Sequence, residues 1–131
     1  IIEIINDMIS SGYPLELILV ENIPSNEVKD IYKECDIAID QILYGWHGKF
    51  SVEMMSMKKP VLCYIDEQYY KYRPDLPIVN VNPKNLKEKI VELIEDKNMR
   101  IQLGIKGFDY VKKNHDINSV TDECIKIYEK Y

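Results

Sequence analysis

Apolar residues Ile1, Ile4, Ile5, Met8 and Ile9 recur at i, i+3, i+4, i+7 and i+8, so the chain opens inside an amphipathic helix. That pattern stops at Ser10, Ser11 and Gly12, with Gly12 placed as the residue after the cap and Pro14 just beyond. Residues 15–20 (LELILV) are a short, nearly continuous apolar run. Its length and Ile/Val content predict a strand buried on both faces, as in a parallel sheet. Ser25 is placed to cap a helix over 26–35, with Val28, Ile31, Tyr32 and Cys35 as its apolar stripe. Further strands are expected at 37–39, 61–65 and 78–81, with a helix over 50–57 between the first two. Residues 66–77 are polar, tyrosine-rich and broken by Pro74 and Pro77, which predicts a loop or a short helix. After Pro83 three helices are expected, over 85–95, 98–113 and 118–129.

Strands separated by helices of about ten residues cannot pair as hairpins; they need right-handed crossovers into a parallel sheet. The expected fold class is therefore α/β, an open parallel sheet with a helical C-terminal tail. Ligands of such sheets sit outside the carboxyl ends of the strands, which directs attention to residues 21–25, 40–49 and 66–77. The length, 131 residues, suits one domain with a real core. A 46% hydrophobic content, with 5 Gly and 6 Pro scattered, excludes a disordered or collagen-like chain. A formal net charge of -5 argues against a nucleic-acid partner, which needs clustered Lys and Arg. The three cysteines, Cys35, Cys63 and Cys124, are far apart and lack metal-ligand spacing, so they read as reduced thiols of a cytoplasmic protein. No apolar run approaches the length of a membrane span and no signal peptide is visible. The opening inside a helix, without an initiator Met or a capping residue, leads us to expect a C-terminal piece of a longer protein.

The strongest chemical signal is residues 45–53. Gly45 and Gly48 lie in a loop running from a strand end into a helix, which offers free backbone N–H groups and the positive end of the helix dipole to an anion. Lys49 adds charge beside them, and Glu53, five residues after Gly48, is placed to accept the hydroxyls of a ribose while the amides at 48–51 hold its phosphates. On pattern alone a second account stands equally: Gly48 as a plain helix cap and Glu53 as a favourable early-helix acid.

Residues 35–65 (CDIAIDQILYGWHGKFSVEMMSMKKPVLCYI) resemble the donor-binding segment of the group-1 retaining glycosyltransferases of the GT-B fold. The register of that family, an Asp-led strand, a glycine-containing loop, a helix of E-A-M-A type and then G-K-P-V with a strand, is met by Asp36, by Gly45 and Gly48, by Glu53-Met54-Met55-Ser56 and by Lys59-Pro60-Val61. The pairs Asp40-Gln41 and Gly45-Trp46-His47-Gly48 resemble a bacterial and archaeal branch, and the flanks at 20–32 and 86–131 are similar too. The resemblance implies that residues 1–131 are the Rossmann-like C-terminal half of a GT-B enzyme, truncated at its N-terminal side. It implies a nucleotide-sugar donor, with Glu53 on the ribose, the backbone at Gly48, Lys49, Phe50 and Ser51 on the diphosphate, and Asn22, Ile23 and Pro24 at the base. The family often has a Glu eight positions before the ribose-binding one. Here that position is Gly45, so sugar contacts are expected from Asp40 or Gln41. No D-x-D pair is present, since Asp36 and Asp40 bracket a strand, and a metal-independent reaction without cofactor is expected.

The family's first strand of this domain, with its basic pair, is expected upstream of Ile1, as is the N-terminal domain that takes a sugar or lipid-linked acceptor. This chain alone is accordingly expected to be inactive. The full-length protein is expected in the cytoplasm, with peripheral attachment to the inner face of the membrane among the expectations. Two other readings remain beside it: a nucleotide-sugar epimerase of the same fold, and a non-catalytic α/β interaction module.

Several residues carry bland readings. Met54, Met55 and Met57 have the helical spacing of core positions, and Cys63 reads as a small hydrophobe in a strand rather than a nucleophile. His47 is expected to be a partly exposed spacer and His115 a helix-end cation. Trp46 is expected either on the donor or at a domain interface, and Tyr69, Tyr70 and Tyr72 in a solvated loop.

Overall fold

The computed structural model describes residues 1–130; Tyr131, the end of the expected domain, lies outside the described residues. The elements run α1 (Ile2–Ser10), α2 (Ser25–Glu34), β1 (Ala38–Ile39), α3 (Lys49–Ser56), β2 (Val61–Cys63), α4 (Glu67–Tyr70), β3 (Val79–Asn80), α5 (Leu86–Glu95), α6 (Lys97–Asn114) and α7 (Ile117–Lys130). The strands form an open parallel sheet in the order β1-β2-β3, with Ala38 opposite Val61 and Leu62 opposite Val79. This is the expected α/β sheet with a helical tail.

The pleat explains why β2 is apolar at every position. Val61 and Cys63 point to one face, into a cluster with Tyr32 of α2, Met54 and Met55 of α3 and Tyr110 of α6. Leu62 points to the other, among Ile5 and Met8 of α1 and Leu86, Ile90 and Leu93 of α5. A strand covered on both sides has no polar face to show. Met54 and Met55 are core residues, 1% exposed, as their spacing requires. Helix α6 meets the backbone at the end of α3 at Gly104, where a Cβ would sit 2.1 Å from the carbonyl oxygen of Lys58.

Two expectations are corrected. Residues 15–20 are not a strand. They carry no regular structure, no backbone hydrogen bond reaches residues 16–20 among the described residues, and Ile18 and Leu19 are 41% and 51% exposed. The cause is lateral: β1 pairs with β2 on one side only, and its other side opens into a groove of about 1450 Å³. Leu17, Ile18 and Leu19 line that groove together with Ile37, Ala38 and Ile39, and no backbone hydrogen bond crosses it among the described residues. Second, α2 starts at Ser25 itself, with Pro24 in the capping position and no side-chain cap; the carbonyl of Pro24 accepts the amide of Val28 at 3.1 Å instead. The stretch at 66–77, expected as a loop or a short helix, contains the short helix α4, begun by Asp66, whose carboxylate accepts the amide of Gln68 at 3.0 Å.

Candidate functional site

The loop between β1 and α3 is fixed by one carboxylate. The Asp40 amide continues the ladder to the carbonyl of Leu62 (2.9 Å), which aims its side chain back under the loop. Asp40 Oδ1 accepts the amide of Gln41 at 2.8 Å. Asp40 Oδ2 accepts both the amide of Gly48 (3.1 Å) and the hydroxyl of Ser51 (2.5 Å), the latter fully buried. The middle of the loop is held by Gly45, whose carbonyl accepts the amide of Asp66 at 2.9 Å and whose φ of +88° suits a residue without Cβ. Gln41 contributes its backbone, since its carbonyl accepts the amide of Tyr64 at 3.0 Å.

Gly48 is the cap of α3 and offers no side chain, and the amides of Lys49 and Phe50 find no protein acceptor among the described residues. These are the orphan donors of a helix start, at the positive end of its dipole. One turn on, Glu53 lies 3.6 Å from the ammonium of Lys49, a pair whose lysine side chain is 90% exposed and which holds the carboxylate only loosely. Phe50 meets Tyr32 of α2 edge to face, with ring centroids 5.3 Å apart. Burial pushes the Tyr32 phenol up, and the nearby negative charge of Glu53 pushes it further, so Glu53 looks across to α2.

The structure thus brings together Asp40, Gln41, Gly45, Gly48 and Ser51 as the loop's frame, and Lys49, Phe50 and Glu53 as its open side. Asn22 and Ile23 are not tied to them: no hydrogen bond, ion pair or ring contact joins those residues to α3 among the described residues. Asn22 is an exposed left-handed residue with φ of +55°. Two placements alter the roles expected from the sequence. The Gly48 amide, expected on a diphosphate, is already taken by Asp40. Asp40, expected on a sugar, has its carboxylate oxygens committed to the loop.

His47 is half-buried beside Trp46 (ring centroids 4.8 Å) and 6.2 Å from the ring of His115, which closes α6. Burial pushes both imidazoles down, and Arg73 adds to this at His115, so the expected helix-end cation is held toward its neutral form. Trp46 turns to Tyr69 of α4 at 5.9 Å, and Tyr70 donates to the carbonyl of Ile78 at 3.2 Å, so the tyrosine-rich loop is partly anchored. Cys63 is fully buried, and burial, then the charge of Asp40, pushes its thiol up to about 12. At pH 8 the exposed Cys124 should react with iodoacetamide within minutes while Cys63 stays intact until the protein unfolds. Mass-spectrometric mapping of the label reads this directly, and early labelling of Cys63 would show that the loop opens.

No protein-family model matches the sequence, and no curated protein matches it. A solved structure does. It is the C-terminal domain of a glycosyl transferase group 1 family protein (LpcC) from Francisella tularensis, with a TM-score of 0.62 and 23% identity. The two share a fold. The match covers 86% of this chain and 60% of that one, so the chain spans about 60% of the solved domain. No described helix is long and apolar enough to cross a membrane.

Sequence reasoning missed the hydroxyl of Ser51 and the phenol of Tyr32. Ser51 accounts for the only buried polar side chain among the described residues, yet its partner lies eleven positions back, where no local pattern points. Tyr32 reads simply as one member of an apolar stripe.

Proposed function

We propose that this chain is the donor-binding half of a glycosyltransferase, taking a nucleotide-sugar for transfer to a sugar or lipid-linked acceptor held by a second domain. The observation that carries the reading is the placement of Glu53 one turn behind the uncapped amides of Lys49 and Phe50 at the start of α3, on a fold shared with a glycosyltransferase domain. A carboxylate there accepts the two hydroxyls of a ribose. The amides of Lys49 and Phe50, the helix dipole and the Lys49 ammonium meet the diphosphate. Such fixed donors count most when negative charge develops on the departing diphosphate, because they need no reorganisation at that moment. This chemistry assigns no step to a metal or a cofactor. The loop at Asn22, Ile23 and Pro24 is the proposed seat of the base, and Gln41, exposed beside Gly48, is the remaining candidate for the sugar.

The test is a titration of UDP, GDP, ADP and CMP followed by amide chemical shifts, on this chain and on a version extended at its N-terminal side. Saturable shifts centred on residues 45–53 with one nucleotide are expected. Glu53→Ala should weaken that binding by about 1–3 kcal/mol, the loss of a charge-assisted hydrogen bond. Binding that is unchanged in the variant, or absent from both folded versions, would turn the reading toward an interaction module.

A further inference from the structure

The least expected feature of the site is a negative charge at its floor. Asp40 projects from the end of β1 to the mouth of α3, where its carboxylate takes the Gly48 amide at 3.1 Å and the buried Ser51 hydroxyl at 2.5 Å. It therefore occupies part of the space that an anion at the helix start would fill. No Lys or Arg forms an ion pair with it among the described residues; the basic side chain that follows in the loop's helix, Lys49, is exposed and paired with Glu53. The amides left for a ligand begin with those of Lys49 and Phe50, directly after Gly48, so a phosphate held there lies close to the carboxylate. Such closeness has different consequences for different phosphates. A diphosphate esterified at both ends carries two negative charges. A free nucleoside diphosphate has an ionised terminal phosphate and approaches three at neutral pH.

We propose that Asp40 is a specificity-determining residue that sets the site against the free nucleoside diphosphate and in favour of the sugar-esterified one. This rests on the donor-binding reading above. The carboxylate has two effects. It holds the loop and takes the Gly48 amide out of the set that could face the ligand. Its charge also repels the extra charge that appears on the terminal phosphate once the sugar has left, so the product is bound less tightly than the donor. Asparagine keeps one acceptor oxygen, which can still take the Gly48 amide and the Ser51 hydroxyl, while its NH2 replaces the oxygen that accepts from Gln41; the charge is lost. The two parts can therefore be separated.

The experiment compares affinities by calorimetry for matched pairs, UDP with UDP-glucose and GDP with GDP-mannose, in the parent protein, Asp40→Asn and Ser51→Ala. Removing one unit charge a few ångströms away should raise the affinity of the free diphosphate relative to its sugar ester about three- to tenfold in Asp40→Asn. Ser51→Ala removes the Ser51–Asp40 hydrogen bond and loosens the same loop without changing charge, and should leave that ratio within about twofold of the parent. Asp40→Ser, which also keeps an oxygen without the charge, gives a second measure should the asparagine variant fail to fold. A ratio that stays at the parent value in Asp40→Asn and Asp40→Ser, or that moves equally in Ser51→Ala, overturns the assignment while leaving the donor site standing. Failure of every pair to bind the folded parent overturns the donor reading itself, and this inference with it.

Discussion

Gly104→Ala should destabilise the protein by about 2–4 kcal/mol and lower its Tm by roughly 6–15 °C. The new methyl carbon would lie 2.1 Å from the carbonyl oxygen of Lys58 and 2.8 Å from its carbonyl carbon, far inside any real contact. A side chain in the way could swing aside, but a backbone carbonyl cannot. The Lys58 backbone has little freedom, since the residue already sits at φ of +59° where α3 ends, and the amide of Lys59 returns to the carbonyl of Met54 at 3.0 Å. Relief must come from lifting α6 off α3, which also unseats Met55 from Gly107, where a Cβ would meet it at 3.0 Å. Alanine is the better helix former by about 1 kcal/mol, and that gain offsets only part of the clash. Urea unfolding curves decide the matter, with Gln102→Ala, exposed on the same helix, expected to stay within about 0.5 kcal/mol of the parent. A loss at Gly104 no larger than at Gln102 would mean that the two helices are not in contact.

The second large effect is expected at the far end of the sheet. Asn80 closes β3 with its side chain: Oδ1 accepts the amide of Ile65 and Nδ2 donates to the carbonyl of Ile65, both at 2.8 Å. The amide group thus stands in for one more rung of a β-ladder, beyond the point where β2 ends at Cys63. Ile65 itself is fully buried, so removing its partner leaves a donor and an acceptor unsatisfied at once. Asn80→Ala should therefore lose about 2–4 kcal/mol, more than truncating an ordinary half-buried polar side chain. Asn80→Asp keeps the acceptor but loses the donor and brings a charge beside a carbonyl oxygen, so it should be no more stable than the alanine variant. The same unfolding curves test both, and a loss below about 1 kcal/mol in Asn80→Ala would show that water replaces the side chain.

Much of this architecture is legible along the chain because helices write their packing into local spacing. Ile5 and Met8, or Leu86, Ile90 and Leu93, announce which face turns inward, and the structure places all five in one core. Residues 15–20 defeat the same logic. Their apolar run is the composition of a buried strand, but composition cannot say whether a neighbouring backbone is present to pair with it, and here none is. The site was legible in part. Gly45, Gly48, Lys49 and Glu53 mark a strand-to-helix turn by their order alone, and that turn exists. What Asp40 does was hidden, because its bonds reach eight and eleven positions ahead to Gly48 and Ser51 and depend on the loop folding back. The same holds for Asn80, whose side chain looks like a routine polar residue until Ile65 is seen beside it.

The parallel pairing of the strands also sets an order of assembly. Ala38 meets Val61 and Leu62 meets Val79 only after a helix or a long loop has been closed between them, so the entropy of closure is met before any ladder bond returns it. Helices α5 and α6 need no such wait. They follow one another in the chain, and Arg100 of α6 already bonds the carbonyls of Leu93 and Ile94 at the end of α5. The helical half, which holds none of the candidate site residues, is thus built from short-range contacts that form quickly. The loop from Asp40 to Ser51 depends on the slower sheet for its shape, so the end of the molecule that carries the candidate site should be the last part of it to form.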